Sequence, residues 1–196
     1  MVRFTGKAKE TVKMPSKPIP VGYKVWVMAD SGYFLQWSFH AKGEGPVGLN
    51  TKEKCLDLAL TQAIVAHLLN QLPLPLIPDY SYHCFMDNLF STPKLFGLLR
   101  TKNIAATGTT RPRRVTSKQL VAIKASELKK DSLLWGTIYV RKHTLAEVIQ
   151  FGFKDNAFVL VLSTAFIGYE DRIRKTRRQP LKTSTCAKTA RIPFAG

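Results

Sequence analysis

The apolar positions change their period several times along the chain, and each change marks an element. Tyr23 to Asp30 is a β-branched and aromatic run, and Tyr33 to His40 is a second. Ser31-Gly32 between them predicts a tight turn, so the two form an antiparallel hairpin. Ahead of them, residues 1–22 are basic and punctuated by Pro15, Pro18 and Pro20, which predicts an extended leading segment. Lys42 to Asn50 holds Gly43, Gly45, Pro46 and Gly48 and reads as loop. Leu56, Leu60, Ile64, His67 and Leu68 then recur at steps of three and four. They predict a helix with one buried face that stops before Pro73, with His67 on its flank. Leu72 to Asp79 is a proline-rich connector.

Tyr82 to Asp87 reads as a buried strand, and helix signals follow at once. Ser91 or Thr92 is the N-cap, Pro93 takes the first helical position, and Leu95, Phe96, Leu98 and Leu99 form the apolar face. Ile104 to Thr109 is a short strand. Helices thus return between strands, which makes the sheet mixed and the class α/β. Arg111 to Lys130 breaks the pattern: it is rich in Lys and Arg, and Glu127 is its one acid. Leu133–Lys142, Glu147–Lys154 and Ala157–Ser163 read as three strands, the last two joined by a turn at Asp155-Asn156. Trp26, Trp37 and Trp135 fall within these strands and are assigned to the core. The tail from Pro180 offers little to bury and is expected to be poorly ordered.

Charge changes the picture. The 196 residues carry 30 Lys and Arg against 13 Asp and Glu, a net charge of +17. This excludes a mimic of DNA and favours a polyanionic partner, nucleic acid before an anionic membrane surface. With 45% hydrophobic and 22% charged residues, the balance is that of a globular chain. Cys55, Cys84 and Cys186 form no CxxC pair, so no zinc ribbon or redox motif is present. An odd cysteine count and a first segment without an apolar stretch point to reduced thiols inside the cell. No apolar run reaches the roughly 18 residues of a membrane span.

The candidate chemistry lies in Phe85-Met86-Asp87-Asn88-Leu89-Phe90-Ser91-Thr92-Pro93. An acid at the C-terminal end of a strand sits at the sheet edge where α/β folds place their sites. The next helix N-terminus offers partial positive charge and free N–H groups to a phosphate. Asp87 is therefore a candidate metal ligand beside a nucleic-acid backbone, or else a strand-end aspartate that caps the following turn. His83 and Cys84 alternate along the strand, so they face opposite ways and do not share a metal.

This stretch, followed by Lys94-Leu95-Phe96, Leu98-Leu99 and Ala105-Ala106-Thr107-Gly108-Thr109, resembles the middle motif of piggyBac-type transposases. Further matches lie in the same order. Arg3-Phe4-Thr5-Gly6-Lys7 resembles the basic element that follows the family's first catalytic aspartate. Pro15-Ser16-Lys17-Pro18 to Ala29-Asp30 resembles its Met-Pro-x-Lys-Pro stretch and next strand, with Asp30 a turn residue outside the triad. Ala157 to Thr164 resembles a further strand, so the likeness spans Met1 to Arg178.

The resemblance implies an RNase H-like fold with a small β-rich insertion domain. Such enzymes cut and join DNA with three aspartates and Mg²⁺. Two ions about 4 Å apart activate the attacking oxygen and stabilise the leaving one, so several carboxylates must converge. Asp87 matches the second of the three, as a catalytic residue and metal ligand. The first and third, and the family's cysteine-rich module, have no counterpart in this sequence. Asp155 and Asp171 are poor substitutes, since one falls in a turn and the other in a basic stretch. The expectation is an RNase H-like domain incomplete at both ends, divided into 1–110, an insertion at 111–178 and a tail at 179–196. It holds Mg²⁺ weakly, cuts no DNA alone, and exposes apolar sheet surface that promotes self-association or pairing with a full-length transposase.

Three basic clusters, at Arg3–Lys24, Arg100–Lys130 and Arg172–Arg191, carry the charge. Arg3, Lys7, Arg111, Arg113, Arg114, Arg172, Arg174, Lys175, Arg177 and Arg178 are the candidate DNA contacts. No base-reading pattern is visible, which predicts largely sequence-independent binding. Arg172 to Arg178 also has the composition of a nuclear-import signal, which places the protein in the nucleus. The alternative for the chain as a whole is a domesticated nucleic-acid-binding module that acts through its basic surface.

Overall fold

The computed structural model describes residues 1–49, 57–73, 81–114, 117–130, 132–142, 148–166, 173–177 and 188–192. The chain divides into two units, Met1–Tyr80 and Ser81–Gly196.

The first unit opens with short strands β1 (Val2–Arg3), β2 (Val12–Lys13) and β3 (Val21–Tyr23), which pair antiparallel in the order β1-β3-β2. The expected hairpin follows as β4 (Val25–Asp30) and β5 (Tyr33–Ala41), with β6 (Gly45–Pro46) on the outer side of β5. Ser31 and Gly32 both take positive φ, 47° and 91°. This is the primed-turn geometry whose twist matches that of the strands. The hairpin has one covered and one open face. Trp26 and Ser38 are opposite each other and buried, and the Lys24 ammonium lies 3.7 Å from the Trp26 ring centre. Val27, Trp37 and Phe39 are exposed. Trp37 therefore departs from the core assignment: strand periodicity marks a face without saying that anything covers it. Helix α1 (Leu60–Asn70) buries Gln62, Ala63, Ile64, Ala66, Leu68 and Leu69. The Gln62 side chain accepts from the Ala59 N–H at 3.0 Å and closes the first turn. Leu56 lies outside the described residues.

The second unit is built on one five-stranded sheet. Its strands are β7 (His83–Met86), β8 (Ala105–Thr109), β9 (Ile138–Lys142), β10 (Ile149–Lys154) and β11 (Phe158–Ser163). They lie in the order β7-β8-β11-β10-β9, with β7 and β8 parallel and the rest antiparallel. Helix α2 (Pro93–Thr101) makes the crossover between the parallel pair. Lys154 opposes Phe158, so the β10–β11 turn spans Asp155 to Ala157. Two strands, β12 (Ile173–Arg177) and β13 (Lys188–Ile192), pair with each other, and β13 falls inside the segment expected to be poorly ordered.

The sheet departs from the expected organisation in three ways. First, Thr109 pairs with Val161 and Thr107 with Ser163, so strands on both sides of residue 110 share one sheet. Second, β7 is an edge strand and half-buried, with Phe85 exposed. Third, Trp135 lies in the turn before β9, and its indole Nε1 donates to Asp155 Oδ1 at 3.0 Å.

The basic region 111–130 also holds helix α3 (Lys118–Lys130). Leu120 packs with Phe158 and Leu160, flanked by Ile123, Leu133 and Tyr139. Its acid, Glu127, is buried and meets the Lys154 ammonium at 3.2 Å. Burial pushes the Glu127 carboxyl up. The Ser132 hydroxyl, the Leu133 N–H, the Lys154 ammonium and the Ser132 N–H together outweigh that and hold it at about 2. None of the helices among the described residues is long and apolar enough to cross a membrane.

Candidate functional site

Asp87 leaves the C-terminal end of β7 and is exposed. Its Oδ1 accepts from the Asn88 N–H at 2.6 Å, and its carbonyl accepts from Phe90 N at 3.0 Å and Ser91 N at 3.2 Å. The Ser91 hydroxyl donates to the same carbonyl at 3.1 Å, and Ser91 is fully buried. A tight loop therefore carries the acid, with its backbone groups satisfied locally. Gly108 on β8 lets this loop pack closely, since a Cβ there would meet the Ser91 hydroxyl and the Met86 carbonyl.

The following helix start is closed. Thr92 Oγ1 accepts from Leu95 N at 3.2 Å, and Pro93 has no N–H to offer. The expected phosphate cradle of free N–H groups is correspondingly depleted. The cap itself is an ordinary stabilising one: Thr92→Ala is expected to cost about 1 kcal/mol in denaturant unfolding.

Arginines beyond β8 complete the site. Residues Pro112–Arg114 form a single 3₁₀ turn. Arg111 Nε donates to Asn88 Oδ1 at 3.1 Å, and the residue stays exposed, as does Arg113. Arg114 turns the other way. Its Nη1 donates to the carbonyls of Asn88 (2.9 Å), Leu89 (3.1 Å) and Ser91 (3.1 Å). Burial, then the charges of Arg113 and Arg111, lowers the basicity of its guanidinium.

On β7 itself, His83 and Phe85 stack with ring centres 4.2 Å apart. His83 Nε2 lies 2.9 Å from Thr107 Oγ1, which lies 2.7 Å from Ser163 Oγ. This chain pins the imidazole, and burial lowers its basicity. Burial pushes the Cys84 thiol up to about 11.

The sequence-derived candidates fall into separate places. Arg111 and Arg114 bond to the loop that begins at Asp87, and Arg113 lies exposed between them in sequence. Arg3 and Lys7 are exposed in the first unit. Arg174, Lys175 and Arg177 lie on β12, whereas Arg172, Arg178 and Asp171 lie outside the described residues. Asn88 is the site residue that sequence reasoning misses, although its place beside Asp87 is a signal. Among the described residues no three His, Cys, Asp or Glu side chains converge on a cation. A two-metal centre needs several carboxylates and this loop supplies one, so the described residues do not by themselves fit the Mg²⁺ pair.

The family model described as Transposase IS4 matches residues 1–191. The human PiggyBac transposable element-derived protein 2 is 34% identical over 165 residues, which cover 83% of this chain and 25% of that protein. The cryo-EM structure of a piggyBac transposase synaptic complex with hairpin DNA superposes with a TM-score of 0.59 at 22% identity. The match covers 87% of this chain and 32% of the solved one, and it identifies the mixed α/β sheet as RNase H-like. The chain thus spans a quarter of one relative and a third of the other. It belongs to the IS4-type transposase family, among the piggyBac-derived members.

Proposed function

We propose that this chain binds DNA through its basic surface and presents Asp87 beside the DNA backbone, without completing a cleavage centre from its own residues. The observation that carries this reading is the exposed pair Arg111 and Arg113 on the turn that packs against the Asp87 loop. Phosphate contacts of this kind bind without reading sequence. The solved relative is a transposase–DNA complex, which supports DNA as the partner. Arg3, Lys7 and the basic run Arg172–Arg178 add positive charge, and that run is also the candidate nuclear-import signal. Exposed Val27, Trp37 and Phe39 support self-association or pairing with a longer transposase.

The test is incubation of the purified chain with supercoiled plasmid and Mg²⁺, alongside an anisotropy measurement with a labelled duplex. DNA binding with no cleavage beyond that of Asp87→Ala is the expected result. Cleavage by the chain alone that Asp87→Ala abolishes would overturn the claim of an incomplete centre. Absence of binding would remove the DNA-binding reading.

A further inference from the structure

We infer that Arg114 is a positioning residue for the Asp87 loop and not a phosphate contact, while Arg113 is the phosphate contact of the same turn. The inference deepens the DNA-binding reading above and rests on it only for the part played by Arg113. Three arginines within four residues have the same charge but different surroundings. The Arg114 guanidinium spends one nitrogen on the carbonyls of Asn88, Leu89 and Ser91, the loop that begins at Asp87. Bonds from a charged donor to carbonyls are stronger than neutral ones. Without that donor, three carbonyls lose a partner at once, and the turn Asp87–Ser91 loses its outside brace. A guanidinium that swung its Nη1 out to a phosphate would have to release these bonds. Arg113 is exposed and next in sequence, so it is able to meet a phosphate without disturbing the loop. Arg111 stands between the two roles, with its Nε on Asn88 and the residue still open to solvent.

The experiment combines amide exchange with salt-dependent binding in Arg114→Met, Arg114→Lys and Arg113→Ala. The amides of Phe90 and Ser91, both bonded to the Asp87 carbonyl, report the loop. In Arg114→Met their exchange is expected to rise on the order of 10-fold or more, with amides of the sheet interior unchanged. Arg114→Lys keeps the charge and is able to donate to some of these carbonyls, so it is expected to show a smaller rise and covers the case in which the Met variant does not fold. Both are expected to keep the wild-type slope of log affinity against log salt. Arg113→Ala is expected to lower that slope by about 0.9 and leave exchange alone. An Arg114 variant with a reduced slope and unchanged exchange would overturn the inference. If the wild type binds no DNA, the DNA-binding reading fails, and the exchange of Phe90 and Ser91 still decides the role of Arg114.

Discussion

Lys154→Met is expected to lower the thermal midpoint by on the order of 10 °C. Lys154 and Glu127 are both buried, with their charged ends 3.2 Å apart. Removal of the ammonium leaves a carboxylate inside the protein with no opposite charge. The cost is that of desolvating the orphan, which exceeds what the pair contributes as a pair. The double variant Lys154→Met with Glu127→Leu is expected to recover part of the loss. Recovery stops short of complete because the Ser132 hydroxyl and the N–H groups of Ser132 and Leu133 also depend on that carboxylate. The pH dependence follows from the same geometry. Glu127 has a folded pKa of about 2, below its unfolded value, so its contribution is present above the unfolded pKa and is lost as pH falls towards about 2. In Lys154→Met the folded value rises, and the loss is expected to begin at higher pH. Thermal melts at stepped pH check both statements, and a variant as stable as wild type would contradict this reading of the pair.

Gly108→Val is expected to destabilise the second unit by about 3 kcal/mol or more. An added Cβ meets the Ser91 hydroxyl and the Met86 carbonyl, and one of these is backbone that cannot swing aside. Gly108 pairs with Met86 on one side and Leu162 on the other, so the strain falls where β7 delivers Asp87. Urea unfolding measures the loss. Fast exchange at Phe90 and Ser91 in the surviving folded fraction would show that it reaches the loop. Unchanged stability would mean that β8 does not press on the loop as described.

Much of this architecture is legible in the sequence where the cause is local. Ser31-Gly32 sets a turn by its own backbone preferences, and Thr92-Pro93 starts a helix by capping and fixed φ. Asp87 is legible as a strand-end acid because a helix begins a few residues later, and the motif around it carries the family. Helix α3 is hidden because four lysines at 118, 124, 129 and 130 interrupt its apolar positions, of which Leu120 alone is buried. The membership of β9, β10 and β11 in the β7–β8 sheet depends on pairing across about fifty residues, which no local pattern reports. Exposure of Trp37 depends on what covers its face. The division of labour between Arg113 and Arg114 is likewise non-local, since only the folded chain brings residue 114 onto the carbonyls of residues 88 to 91.

The proposed DNA binding through a basic surface beside Asp87 stands or falls on duplex affinity measured across salt. The expected result is a straight line of log affinity against log salt that steepens by about 0.9 for each phosphate neutralised, with little change between unrelated duplex sequences. Affinity that does not respond to salt, or no binding even at about 50 mM salt, would contradict it.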